Sequence, residues 1–405
     1  MATSELIAEA PAEIAERPLP VAEPKAATFY RPELDFLRFI AFMSVFFCHG
    51  LPFKAPQQLH GSVNVLWRFL QGAREAGNFG VCLFFMLSSY LITELLRREY
   101  LQSKTVHLKA FYVRRSLRIW PLYFSVLLIS VVLGARIPFF HLQWGQLLAY
   151  VLFVGNWYGV ASPVGAEALG WLWSISVEEQ FYIAWPTMAK IGGMRCIAIG
   201  SFICMPLSLI AIAIANRYQQ HLDVTVWLNS LVQFQFFALG ALLALVLSGR
   251  VPRWSTRVRI ATFISGIVCW MTASGACLIK DPHVTHSTVR MAIGYELVAI
   301  GCLCIVLSLL GSSVKHVPGY IVYLGKISYG LYVFHGIALF ATTFVRKYLE
   351  HGGSQTSATA LLMFLADRIV GLSLTIGLAA LSYKYLETPW LRLKSSFTFI
   401  QSRTV

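Results

Sequence analysis

Four groups of residues in this chain have types and spacings that could do chemistry. Arg38 and His49 are separated by ten residues in a mostly apolar stretch. On a helix, eleven steps of 100° return to within roughly 20° of the starting face, about 16 Å further along the axis, so both side chains are expected to face one interior. An imidazole near mid-membrane is cheap to keep only with a hydrogen-bond partner; packing against a neighbouring helix is the plain alternative to a site. Arg115 and Arg118 stand three apart, on one helical face. Two guanidiniums there can grip phosphate with fixed, forked donors, although basic residues at a helix end also serve orientation alone. In Trp173-Ser-Ile-Ser-Val-Glu-Glu-Gln-Phe-Tyr182, two carboxylates and a glutamine lie within an aromatic, apolar stretch. Buried adjacent carboxylates are costly unless paired or protonated, so Glu178 and Glu179 either bridge to an arginine such as Arg38 or Arg118 or serve a site. Ser328, Tyr332 and His335 follow i, i+4, i+7 spacing. Such a polar stripe is interhelical glue or a surface for a hydroxyl-rich substrate. Glu387 before Pro389 reads as the end of the last helix. Asp367 beside Arg368, and Glu296, are further intramembrane charges to which no role is assigned.

The elements that must position these residues are membrane spans. Of the 405 residues 57% are hydrophobic and only 13% charged, about half the charged fraction of a soluble domain. A water-facing surface cannot be built from that composition. The formal charge is +14, but the basic residues flank apolar runs, where they act as topology signals and lipid contacts; nucleic acid is not an expected partner. Residues 1–30, rich in Ala, Pro and Glu, lack the basic start and apolar stretch of a signal peptide and are expected to be a disordered tail. Residues 393–405 are read as a cytoplasmic tail. None of the eight cysteines sits in a CxxC or zinc-like spacing, so they read as packing residues, with neither disulfide nor metal expected.

Apolar windows of about 20 residues fall near 37–56, 79–96, 119–136, 143–160, 174–191, 195–214, 227–248, 260–279, 291–311, 320–345 and 359–385. The loop carrying Arg97, Arg98, Lys104, Lys109, Arg114, Arg115 and Arg118 is cytoplasmic by the positive-inside rule, as is the loop with Arg250, Arg253, Arg257 and Arg259. Loops on one side are separated by an even number of crossings, yet five windows lie between these two. One must therefore be irregular or re-entrant, and the stretch from Trp171 to Pro186 is the choice here because Glu178 and Glu179 stand in its middle. The expectation is an all-α integral membrane protein of about ten transmembrane helices, with both termini cytoplasmic. No internal repeat is visible, which weakens the rival reading of a transporter for a saccharide or acyl carrier.

Taken as a set, these motifs resemble the membrane-bound acyltransferase-3 family. The resemblance runs over residues 31–392 and rests on Arg38 to His49; Gly77-Asn-Phe-Gly-Val-Cys-Leu-Phe-Phe-Met-Leu-Ser88; Arg115-x-x-Arg118 with Pro121; Trp173-Ser to Tyr182; Ser328-Tyr329 to His335; and Glu387-x-Pro389. Ser89 stands where the family usually has glycine, which bears on the closeness of helix packing there. No soluble hydrolase-like domain, such as some members carry, is expected after Trp390. The resemblance implies an enzyme of the cell inner membrane that takes an acyl group, often acetyl, from cytoplasmic acyl-CoA to a hydroxyl of a sugar or envelope glycan presented from the far side. It implies Arg115 and Arg118 as the clamp on the CoA donor and neutral His49 as the general base. Arg38 would orient the donor or stabilise negative charge on the thioester oxygen. Glu178 would hold the His49 tautomer or position the acceptor, and His335, Ser328, Tyr332 and Trp173 would bind the acceptor. A non-catalytic membrane subunit is the third reading; there His49 and Arg38 would tolerate replacement.

Overall fold

A computed structural model describes residues 29–51, 62–162, 169–218, 222–279, 287–350 and 357–393. Helices account for nearly all of them, and no strand occurs among the described residues. Helix α1 (Pro32–Gly50) begins with proline in its first turn, where the missing N–H costs nothing, and with Glu33 and Asp35 at the positive end of its dipole. The polar α2 (Ser62–Ala76) leads through a tight turn into α3 (Gly80–Ser103), and α4 (Leu108–Gly134) follows. Helix α3 stops where Lys104 takes the left-handed conformation (φ 57°) and its N–H caps Tyr100.

The irregular segment lies elsewhere than expected. Trp173 opens α7 (Trp173–Tyr218), and Glu178 and Glu179 stand on its regular first arm, which continues to a sharp turn at Gly193 (φ 60°, ψ −153°). It is the 143–160 window that is broken, into α5 (Trp144–Val151) and α6 (Gly155–Ala161). At 8 and 7 residues, each is about 12 Å long or less and falls far short of a 30 Å hydrocarbon layer. The break sits at Phe153, whose φ is +55°. Its carbonyl accepts a hydrogen bond from Gln180 Nε2 at 2.9 Å, and the same amide group bonds Asn156. Asn156 in turn donates to the Leu228 carbonyl and Ser230 Oγ. The Gln180 side chain of α7 thus satisfies the Phe153 carbonyl at the break, and Asn156 ties the segment to the end of α8 (Leu222–Leu228) and the start of α9 (Ser230–Leu247), which makes irregular structure tolerable inside a bundle. Hydropathy alone cannot register a single positive φ in an apolar run.

The remaining elements are α10 (Thr256–Gly275), α11 (Thr288–Leu309), α12 (Gly319–Lys326), α13 (Ser328–Glu350), α14 (Ser357–Ser382) and α15 (Thr388–Leu393). Eight helices among the described residues are long and apolar enough to cross a membrane. Dividing α7 at Gly193 and adding the 19-residue α1 gives ten. Many of their outward residues are large and apolar, among them Leu128, Val132, Ile191, Phe202 and Val246, as a lipid-facing surface requires. The protein is a multi-pass membrane protein. Glu387 does not end the last helix: the chain widens into a π turn over Tyr383–Glu387 and resumes as α15. Pro389 lacks an N–H and crowds the carbonyl four residues back, and the wide turn absorbs both defects.

Small residues let the helices meet at backbone distance. Gly240 of α9 faces the Met86 carbonyl and Ser89 of α3, and the Ser89 hydroxyl bonds the Phe237 carbonyl. The small Ser89 side chain therefore admits the close approach and adds a hydrogen bond. The basic loops share one face of the bundle: Arg31 donates to the Gly249 carbonyl at 3.2 Å, Glu33 accepts from the Gly311 N–H, and Lys190, beside the Gly193 turn, bonds Thr105 at 2.6 Å. Most of the expected terminal tails (1–28 and 394–405) lies outside the described residues. Phe29 and Tyr30 belong to the fold: Arg98 lies over the Phe29 ring at 4.2 Å, and the Tyr30 hydroxyl donates to Asp35.

Candidate active site

A cavity of about 170 Å³ enters the bundle from the basic face. At its mouth Glu99 accepts hydrogen bonds from the His107 N–H and from Arg114. Further in, Arg38, Arg115 and Arg118 converge from α1 and α4 on Glu178, Tyr182 and Ser88 from α7 and α3. Each is aimed by its neighbours. Arg38 is held by Asp35 at 2.9 Å, one helical turn back and fully buried, while Tyr30 donates to the other carboxylate oxygen. Arg115 lies over the faces of Phe111 and Tyr182, 5.6 and 5.3 Å from the ring centres, a stacked geometry that suits guanidinium. The Tyr182 hydroxyl donates to Glu178 at 2.9 Å and sits 2.8 Å from Ser88 Oγ. Five arginines (Arg31, Arg38, Arg114, Arg115 and Arg118) therefore share the cavity with the two carboxylates Glu99 and Glu178, an excess of positive charge in a site partly shielded from bulk water, where an anion gains more than in open solution.

Of the residues expected at the site, Arg38, Arg115, Arg118, Glu178, Ser328 and Tyr332 line this one cavity. Trp173 does not. It is buried edge-on against Phe85 and at 5.5 Å from Trp227, an aromatic packing role, and its neighbour Ser174 is what reaches the cavity wall. The inner end of the cavity is closed by the Tyr332 ring, whose hydroxyl lies 2.7 Å from Ser174 Oγ and donates to the Trp171 carbonyl at 2.8 Å. The Trp171 indole N–H is held by the Val333 carbonyl, and its ring fills the space left by the absent side chain of Gly336.

His335 and His49 follow beyond this barrier. His335, fully buried, has its ring 5.5 Å from those of both Tyr332 and Trp171. His49 sits at the far end of α1, exposed, with Nδ1 3.0 Å from His335 Nε2 and the two rings stacked at 5.1 Å. The direction of the pair follows from its outer bond. His335 Nδ1 faces the Tyr332 carbonyl, which only accepts, so the proton is on Nδ1. For a neutral His335, Nε2 is then an acceptor, His49 Nδ1 must donate to it, and the His49 lone pair is carried on Nε2. The expected sharing of one interior by Arg38 and His49 is thus modified: they are on one helix and one line, but with Tyr332, Trp171 and His335 between their surroundings. His335, expected beside the acceptor, is instead the hydrogen-bond partner of His49, and Glu178 belongs to the arginine group.

Sequence reasoning missed three features. The His49–His335 pair joins residues 286 apart, so no local spacing reports it. Asp35, three residues before Arg38 on the same face, was legible as its anchor. The third is an ion cluster near His49: Asp367 Oδ2 accepts from Arg346 Nε at 3.0 Å and from Arg368 at 2.7 Å, and the Arg368 stem passes Gly50, the residue after His49.

A multi-span α-helical bundle with a guanidinium-lined cavity at one face and a paired histidine beyond it defines a polytopic membrane protein with polar side chains gathered in its interior. Sequence comparison gives the class its name: residues 31–384 match the acyltransferase domain of the acyltransferase-3 family, and the chain belongs to that family. It is 25% identical over 382 residues to the peptidoglycan O-acetyltransferase OatA of Listeria monocytogenes, covering 89% of this chain and 56% of that protein. It is likewise 25% identical over 389 residues to the O-acetyltransferase OatA of Staphylococcus aureus, covering 89% and 57%. The chain thus spans a little over half the length of these relatives. No solved structure matches it.

Proposed function

We propose that this acyltransferase moves an acyl group, acetyl by analogy with the relatives' names, from acyl-CoA at a cytoplasmic basic face to a sugar hydroxyl at the opposite, outer face of the cell membrane. The single observation that carries this reading is the order along one axis of three guanidiniums, then an aromatic barrier, then the His49–His335 pair. A two-substrate reaction across a membrane needs an anion clamp on one side and a base on the other. The positive-inside rule supports the assignment of faces. One relative is named for peptidoglycan, which supports an envelope glycan as acceptor.

The cavity is smaller than the roughly 300–1,000 Å³ that encloses a whole drug-sized ligand. It suits the slender thioester-bearing arm of the donor, with Arg38, Arg115 and Arg118 supplying donors for its phosphates. At the other end, His49 Nε2 takes the proton of the acceptor hydroxyl as that oxygen bonds to the thioester carbonyl carbon. The carbon–sulfur bond breaks, and the proton passes to the departing thiolate. His335 acts as a positioning residue that fixes which nitrogen is basic. For the two halves to meet, the Tyr332 and Trp171 side chains must part, which makes them the gate of the reaction.

The test is acyl transfer from labelled acetyl-CoA by His49→Ala in membranes at normal abundance. Loss of transfer is expected; full activity would discard the assigned base. Uptake or efflux of a saccharide with no CoA requirement would instead support the transporter reading.

A further inference from the structure

The Arg346–Asp367–Arg368 cluster is spent by neither the fold nor the reaction as described. Asp367 is buried (6% exposed), and although its Oδ2 serves both arginines, its Oδ1 is buried with no hydrogen-bond partner; Arg368 Nε is in the same condition. Arg368 also donates to Thr343 Oγ1 at 2.9 Å, which ties the cluster to α13, and its ring-stacked position over Phe364 ties it to α14. Its Cδ lies 3.5 Å from where a Cβ on Gly50 would be, so the cluster flanks the exposed end of α1 that carries His49. The Arg368 and Arg346 side chains keep 17% and 20% exposure, so the cluster reaches the surface through its guanidiniums.

A buried acceptor and a buried donor left open within one cluster each cost their full desolvation. An anion would answer Arg368 and be repelled by Asp367; a cation would do the reverse. A hydroxyl both donates and accepts, and satisfies the two together. We infer that Asp367 and Arg368, braced by Arg346, form a hydroxyl-binding subsite that holds the saccharide acceptor beside His49. This rests on the acyl-transfer reading for its meaning but not for its test. Residues Asp367 and Arg368 orient the acceptor, so that a neighbouring hydroxyl of the same sugar is offered to the imidazole.

The full chain, purified in detergent without any acyl donor, is titrated calorimetrically with chitotetraose, cellotetraose and maltotetraose. The wild type is expected to bind at least one of them, and Asp367→Asn to weaken that binding tenfold or more, the usual effect of a lost hydrogen bond to a charged group. Should Asp367→Asn fail to reach the membrane, Arg368→Lys keeps the charge beside Asp367 and removes the planar Nε–H, with the same expected weakening. No binding by the wild type, or equal binding by the folded variants, overturns the subsite. Acyl transfer is measured separately: binding lost in the variants while the wild type transfers no acyl group would sink the acyltransferase reading and leave the subsite standing.

Discussion

Replacing His335 separates a base from a merely buried histidine. His335 receives the His49 Nδ1–H at 3.0 Å and is itself fixed by the Tyr332 carbonyl. In His335→Leu the His49 proton has no such partner, and the ring is released to place its proton on either nitrogen and to turn. One hydrogen bond of this kind is worth about 1 kcal/mol net, and partners that orient a functional histidine cost roughly 10–100-fold when removed. The expected loss in kcat is therefore roughly 10–100-fold, or about 1.4–2.7 kcal/mol of barrier, with the KM values for donor and acceptor little changed. His335→Gln keeps an acceptor for His49 and a donor for the Tyr332 carbonyl, and is expected to recover most of the rate. The assay is initial-rate transfer from labelled acetyl-CoA in proteoliposomes, with protein amount fixed by immunoblot. Unchanged kcat in His335→Leu, or a glutamine variant as slow as leucine, would refute the tautomer argument.

Other consequences follow from the same geometry. Arg115→Ala and Arg118→Ala should each raise the KM for acyl-CoA about tenfold or more with a smaller effect on kcat, and lysine should restore only part of it, because a point charge replaces a fork; equal KM values would remove the donor clamp. Gly193→Ala places a side chain at φ 60°, ψ −153°, a region essentially reserved for glycine. A cost of about 1–3 kcal/mol should lower the detergent unfolding temperature by several degrees, and an unchanged melting curve would deny the strain. Gln180→Leu removes the bonds to Phe153, Asn156 and Ser230 and should destabilise the fold by about 2–4 kcal/mol, read as lost thermal stability, whereas a neutral effect would mean the broken segment is held by packing.

The fold class was legible because it rests on local pattern: span-length apolar windows, basic loops and helical spacing are all properties of neighbouring residues. The same patterns marked Arg38, Arg115, Arg118, Glu178, Ser328 and Tyr332 as candidates, but that Ser328 and Tyr332 line one cavity with the arginines, rather than a separate acceptor side, is visible only in the packed structure. What was not legible depends on distant pairing or on a single dihedral. The break at Phe153 leaves no mark in hydropathy, and the Glu178 carboxylate that seemed to disrupt a helix is accommodated by the Tyr182 hydroxyl in a cavity lined by arginines. Trp173 and Ser174 are adjacent, so only the packed structure tells which one faces the cavity. The partner of His49 comes from the other end of the chain. The π turn at Tyr383–Glu387 shows the same limit: proline signals an interruption but not whether the helix stops or widens.

The passage of the acyl group from the arginine-lined cavity to the His49 end is best tested in proteoliposomes of one known orientation, with labelled acetyl-CoA on one side and a glycan acceptor confined to the other. Labelled acceptor is expected only when the donor faces the Arg115 side and the acceptor faces the His49 side. Equal labelling with both substrates on the Arg115 side would contradict it.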